Sequence, residues 1–124
     1  MKDRDIIILK KIIQYSNEID LTVEMMQLDY DKFVDEFIAR NAISMCILQI
    51  GELVGALSEE FKACYAAMPW RAIISMRNRA AHNYGEMDKE IIWQTAIEDI
   101  PELRLYCEEI LKLDPGYPQS FSVQ

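Results

Sequence analysis

The stretch from Asp35 to Leu57 constrains the fold more than any other part of this chain. Ile38, Ala42, Met45, Cys46, Leu48, Gln49, Leu53 and Leu57 mark one face of a helix with 3.6 residues per turn. Ile43, Ile47, Ile50 and Val54 fill the other. A helix that is apolar nearly all round is covered on two sides. The 124 residues suffice for one domain with a single core. A second subunit is therefore one candidate for the outer cover.

The rest of the chain reads as further helix. Ile7, Ile8, Ile12, Tyr15 and Ile19 give an amphipathic helix over residues 4–19, extending towards Met26, with Asp3 or Asp5 available as its cap. A polar break at Asp29-Tyr30-Asp31 offers the next cap, with a helix from about Lys32. Ser58 with Glu60 and Phe61 suggests a short capped helix to about Tyr65. Met68-Pro69-Trp70 opens the following one, which carries Ile73, Ile74, Arg77 and Ala81 and ends between His82 and Gly85. Asp88 caps a helix through Trp93 and Ile97, and Pro101 starts or kinks a last one holding Leu103, Tyr106, Ile110 and Leu113. Only four Gly and four Pro are present, which favours long elements over a turn-rich β fold. The expected architecture is an all-α bundle of four to five main helices over residues 1–113, followed by an irregular tail, residues 114–124.

Composition excludes several classes of function. No apolar run approaches the roughly 18 residues of a membrane span, and MKDRDIIILKK is no signal peptide, so the expected location is cytoplasmic, with no membrane partner. Cys46, Cys64 and Cys107 are widely spaced within apolar helical pattern, and one histidine cannot complete an ordinary zinc site. Buried free thiols are expected, with neither metal nor cofactor. Net charge is −8, from 13 basic and 21 acidic residues, which by itself argues against nucleic acid. The distribution points the other way. Residues 61–85 contain no Asp or Glu but hold Lys62, Arg71, Arg77 and Arg79, a local charge of +4 in an otherwise acidic chain.

That basic island contains MRNRAAHNYGEMD, with the chain's single histidine. On an ideal helix Asn78 and His82 share a face, as do Arg77 and Tyr84, whereas Arg77 and His82 converge only where the helix ends or loosens. Histidine titrates near neutrality and serves as acid or base, and arginine's fork matches phosphate oxygens. Metal-free RNA cleavage needs an acid, a base and a cation. One histidine supplies a single proton-transfer group, so a second copy of the site across a symmetric dimer would supply the other. A structural reading stands beside this one. A lone histidine near a helix C-terminus can simply cap carbonyls, the arginines can pair with surface acids, and Tyr84 can pack at the core rim. Spacing alone does not choose between the two.

The segment from Trp70 to Trp93, WRAIISMRNRAAHNYGEMDKEIIW, resembles the signature of HepT-like proteins, a branch of the HEPN superfamily. Their motif is Arg, a polar residue, three more residues and His-x-Tyr, matched by Arg77, Asn78, His82 and Tyr84. Ile50-Gly51-Glu52, Pro69-Trp70-Arg71 and Ile100-Pro101-Glu102-Leu103 match outside the motif, so the resemblance covers roughly residues 5–110. It implies a homodimeric helical bundle whose two motifs meet in a cleft and cleave RNA without metal, as the toxin of a toxin–antitoxin pair. The implied partner is an MntA-like nucleotidyltransferase antitoxin that transfers AMP to the motif tyrosine. Carried over, Arg77 stabilises the scissile phosphate, His82 transfers protons, Asn78 orients His82 or contacts RNA, and Tyr84 accepts AMP.

Three further residues come from the sequence itself. Arg79 and Arg71 are RNA-backbone candidates from the acid-free window, with Arg79 equally readable as a solvated surface residue. Glu52, a charge within an apolar helix, is expected to pair with Arg77 or another motif residue, in a structural or a supporting role. The competing reading is a non-catalytic helical partner that docks a nucleotidyltransferase or binds nucleotide. A pure scaffold does not need His82, and toxicity on expression without the neighbouring gene would fit only the nuclease. A small-molecule enzyme lacks phosphate-cradling glycines and a nucleophile–base motif.

Overall fold

The computed structural model describes residues 2–75 and 88–113. Among them every regular element is helical: α1 (Asp3–Met25), α2 (Tyr30–Asp35), α3 (Phe37–Ala56), α4 (Glu59–Cys64), α5 (residues 70–75, up to the edge of the described segment), α6 (Lys89–Gln94) and α7 (Ile100–Leu113). A π-helical turn, Thr95–Asp99, joins α6 to α7, so residues 89–113 form one uninterrupted rod. The outer motif residues Arg77, Asn78, Arg79, His82 and Tyr84 and the tail from Asp114 lie outside the described residues.

The core forms where α1, α3 and α7 meet. Ile8, Leu9, Ile12 and Ile19 of α1 face Ile43, Ile47, Ile50 and Val54 of α3, and Ile100, Leu103, Cys107 and Ile110 of α7 close the third side. These side chains are nearly or wholly shielded from water, and burying each contributes roughly 1.5–3 kcal/mol. Helix α1 ends in a Schellman arrangement. Leu28 N–H donates to Val23 O at 2.9 Å and Gln27 N–H to Glu24 O at 3.1 Å, with Gln27 at φ 49 where glycine is the usual occupant. Asp29 caps α2 through its side chain, which accepts from Lys32 N–H, and the helix begins at Tyr30, two residues before the expected start. Arg40 then donates to the carbonyls of Phe33 and Val34, clamping the end of α2 to the first turn of α3.

Three expectations change. Neither Asp3 nor Asp5 caps α1, whose N-cap position is Lys2 without a side-chain hydrogen bond. Asp5 is instead buried and accepts from Ser58 N–H at 2.9 Å and Ser58 Oγ–H at 2.7 Å, while Ser58 Oγ accepts from Phe61 N–H at 3.1 Å. One carboxylate thus joins the start of α1 to the cap of α4, a contact spanning 53 residues that local pattern cannot show.

Pro101 lies in the first turn of α7, in keeping with the expectation that it starts or kinks the last helix. The π turn widens the spiral just before it, with Ile100 N–H reaching Thr95 O five residues back. This accommodates a ring that would otherwise clash with the carbonyl of the preceding turn.

Not all thiols are buried: Cys107 is, Cys46 is half-buried and Cys64 is exposed. Desolvation, aided by Glu108, pushes the Cys107 thiol up to about 12. Desolvation, aided by Glu18, raises Cys46 to about 11, so both stay protonated at neutral pH.

Finally, α3 does reach the length and apolarity of a membrane span, with 20 residues at mean hydropathy 1.4. Arg40, Asn41, Gln49 and Glu52 interrupt the apolar run, while the isoleucines, leucines and Val54 keep its average high. Its inner stripe lies in the core described above.

Candidate functional site

Both flanks of the motif segment are fastened by tryptophan. At the N-terminal flank, Trp70 is 5% exposed and its indole N–H donates to Tyr65 O at 2.9 Å. Its ring lies 5.7 Å from Phe61 and 6.0 Å from Tyr106, and Phe61 lies 4.8 Å from Tyr65, so α4, α5 and α7 share one aromatic cluster. Each tilted or edge-on pair adds about 0.5–1.5 kcal/mol beyond burial. At the C-terminal flank, Asp88 caps α6 by accepting from Glu90 N–H, and Trp93 packs on Phe33 of α2 at 5.1 Å. The sequence foretold the helix start at Pro69-Trp70 and the Asp88 cap. The identity of the aromatic partners, drawn from α2, α4 and α7, was not legible.

Between these flanks runs an open cleft of about 330 Å3. One wall is Met68, Pro69, Ala72 and Ile73 at the start of α5. The other is Ile91, Gln94, Thr95 and Asp99 from α6 and the π turn, with Ile100, Glu102 and Leu103 at the end of the cleft. Thr95 and Asp99, the first and last residues of the π turn, both line this wall. Burial, with Glu98 and Glu102 nearby, holds the Asp99 carboxyl above the usual carboxylate range. Sequence reasoning missed this cleft. Its one signal was Pro101 inside an otherwise regular helical run, which marks a local change of pitch rather than an end.

Of the residues singled out from sequence, Arg71 and Glu52 fall within the described structure. Arg71 is exposed on α5 and is not among the residues that line the cleft. Lys62, the other described cation of the acid-free window, has a side chain only 15% exposed and pairs with Glu59 at 3.4 Å. Exposed positive charge in the described part of the window is therefore carried by Arg71. Glu52 is exposed on the outer side of α3 and not enclosed in apolar surroundings, so the expected cost of burying its charge does not arise within one chain. Its expected partner Arg77 lies outside the described residues. Among the described residues no three His, Cys, Asp or Glu side chains gather as a metal-binding group.

The outer face of α3 carries Ile38 at 67% exposure and Met45 at 50%, with Ala42 exposed between them and Gln49 exposed one turn further on. Phe37, beside this stripe, is 61% exposed. Leu57, expected on that face, turns inward and is buried, while Cys46, Leu48 and Leu53 are half-buried.

Comparison with known proteins agrees with the resemblance read from the motif. Residues 9–110 match the family described as ribonuclease HepT-like. A relative from Caldanaerobacter subterraneus, named as a candidate RNase, is 31% identical over 105 residues, covering 84% of this chain and 91% of its own. A candidate RNase from Methanocaldococcus jannaschii is 31% identical over 114 residues, covering 90% of this chain and 96% of its own. A protein of Thermococcus cleftensis named for ribonuclease HepT is 28% identical over 82 residues, covering 63% of this chain and 74% of its own. No solved structure matches. With helices throughout the described residues and the family match running through the core helices, both tryptophan-anchored flanks and the motif between them, the chain belongs to the HepT-like ribonuclease family.

Proposed function

We propose that this protein is a metal-independent endoribonuclease that acts as a homodimer and is the toxin of a toxin–antitoxin pair. The observation that carries the reading is the set Arg77, Asn78, His82 and Tyr84 in the family's order, lying in sequence between two anchored flanks in a chain that matches the family from residue 9 to 110. The relatives named as RNases support RNA as the substrate.

In this mechanism a histidine takes the proton of a ribose 2′-hydroxyl, and the freed oxygen attacks the adjacent phosphorus. The bond to the 5′-oxygen breaks, that oxygen is protonated by a second acid, and a 2′,3′-cyclic phosphate is left behind. Arg77 offsets the charge that builds on the phosphoryl oxygens, and Asn78 orients His82 or contacts RNA. His82 fills one proton-transfer role, and a second copy of the chain fills the other. The exposed apolar stripe of α3 supports such pairing, since Ile38 and Met45 gain by leaving water. Arg71 and Arg79 contact the RNA backbone, and Glu52 supports the site through a motif residue. An MntA-like nucleotidyltransferase silences the toxin by moving AMP from a nucleoside triphosphate onto the Tyr84 hydroxyl, with pyrophosphate leaving.

The test is cleavage of labelled tRNA and mRNA in EDTA by unmodified protein, its intact mass checked first because attached AMP would mimic inactivity. His82→Ala should lower the rate by about 10²–10⁴-fold, the usual contribution of a proton-transfer group, while leaving the fold intact. Tyr84→Phe should block AMP attachment. If neither wild type nor variant cuts any RNA, the docking-partner reading takes over. Binding should weaken with salt along a modest slope, and a slope equivalent to eight or more phosphate contacts contradicts a confined basic site.

A further inference from the structure

The cleft between α5 and the π turn takes no part in the chemistry above, and its composition specifies a guest. Its volume of about 330 Å3 lies at the lower end of the roughly 300–1,000 Å3 typical of small-ligand sites. Its walls are aliphatic: Met68, Pro69 and Ile73 face Ile91 across the opening. Among the described residues, the charged side chains lining it are both acidic, Asp99 and Glu102. A phosphate or carboxylate guest is repelled there. The favoured guest has a flat apolar body and an edge rich in N–H donors.

A π turn in a helix that could have been regular is a second mark of a built site, because such turns cost hydrogen-bond geometry and recur at functional positions. Asp99, the last residue of this turn, lines the cleft together with Glu102. Desolvation and the neighbouring carboxylates already disfavour charge on Asp99, so a pair of donors would relieve it.

We propose that this cleft is a nucleobase pocket that receives a guanine of the RNA substrate, with the Asp99 carboxylate accepting from the guanine N1–H and exocyclic amino group while Met68, Pro69, Ile73 and Ile91 cover its faces. Guanine presents two adjacent donors that match one carboxylate in fork fashion. Uracil presents one imino donor, and adenine and cytosine offer an amino group beside an acceptor. The inference rests on the ribonuclease reading, and it adds selection of a base beside the cut. The α5 wall of the cleft ends at Ile73, four residues before Arg77 along the chain.

The experiment follows the methyl signals of Met68, Ile73 and Ile91 by NMR in the full-length, unmodified chain titrated with guanosine, inosine, adenosine and cytidine. Guanosine should shift these methyls selectively. Inosine, which lacks the amino group, should bind at least tenfold more weakly, and Asp99→Asn should lose guanosine binding by a similar factor while its melting curve stays cooperative. Ala72→Leu, which narrows the cleft without touching a carboxylate, should weaken guanosine as well. No shift with guanosine, or equal binding of guanosine and inosine, overturns the proposal. So does displacement of the same signals by an arginine-rich peptide with no response to guanosine, which would make the cleft a protein-docking site. Guanosine binding in a protein that cuts no RNA removes the ribonuclease reading and leaves the pocket. Cleavage without guanosine binding does the reverse.

Discussion

Helix α3 has two apolar faces that read alike in sequence and differ completely in fate. Its inner stripe, Ile43, Ile47, Ile50 and Val54, is sealed against α1 and the rest of the core at 3% exposure or less. Its outer stripe, with Ile38 and Met45, stands half or more in water. Side chains of similar hydrophobicity thus contribute to stability on one face and leave exposed apolar surface on the other. The difference teaches that apolarity states a need for cover, whereas only the packing of other elements states which need is met within the chain. Length and composition qualify this same helix for a membrane, yet its inner face lies inside a bundle.

Substitutions on the two faces should separate them cleanly. Ile50→Ala, on the inner face, should cost about 3 kcal/mol in chemical denaturation, the usual range for deleting a buried aliphatic chain being roughly 2–5 kcal/mol. A loss below about 1 kcal/mol would mean that the inner face is less tightly packed than its burial implies.

Next in size is the latch that secures the neighbouring end of the bundle. Asp5→Ala should cost about 2 kcal/mol, because Ser58 N–H and Oγ–H lose a charged acceptor in a part-buried place. An unchanged denaturation midpoint would show that water replaces the carboxylate fully.

On the outer face, Ile38→Ser with Met45→Ser should change the stability of the isolated chain by no more than about 0.5 kcal/mol, as for ordinary surface sites. Sedimentation should nevertheless find a dimer for the wild type and a monomer for the double variant. A dimer that survives both changes places the subunit contact elsewhere.

The smallest expected effect is at the cleft. Since the folded state holds Asp99 above its ordinary range, its charged form is disfavoured on folding, and stability rises as pH falls through that raised value. Asp99→Asn should therefore raise stability at neutral pH by a few tenths of a kcal/mol, discounted for its exposure. The gain should vanish in acid, and a loss at neutral pH would show that the carboxylate holds a structural bond.

Much of the helical frame was legible because it is periodic. The 3.6-residue spacing of Ile8, Ile12 and Ile19, and of Ile43, Ile47, Ile50 and Val54, places buried side chains without knowledge of partners. Side-chain caps at Asp29, Ser58 and Asp88 follow from the same local logic, since an N-cap reads only its own next turn. The motif residues Arg77, Asn78, His82 and Tyr84 stood out by type and spacing. Tertiary structure decided what depends on distant chain segments. Asp5 reads as a cap for its own helix until Ser58 is brought to it across 53 residues. Glu52 reads as a buried charge until its side of α3 is found open to solvent. Pro101 reads as the start or kink of the last helix, and only the structure shows that a π turn precedes it within a continuous rod and that Asp99 lines a cleft with α5 residues. Periodicity and capping act over one or two turns and are written in adjacent residues. Burial, the pairing of a carboxylate and the opening of a cleft depend on which helices meet, and that is set by the packing of the whole chain.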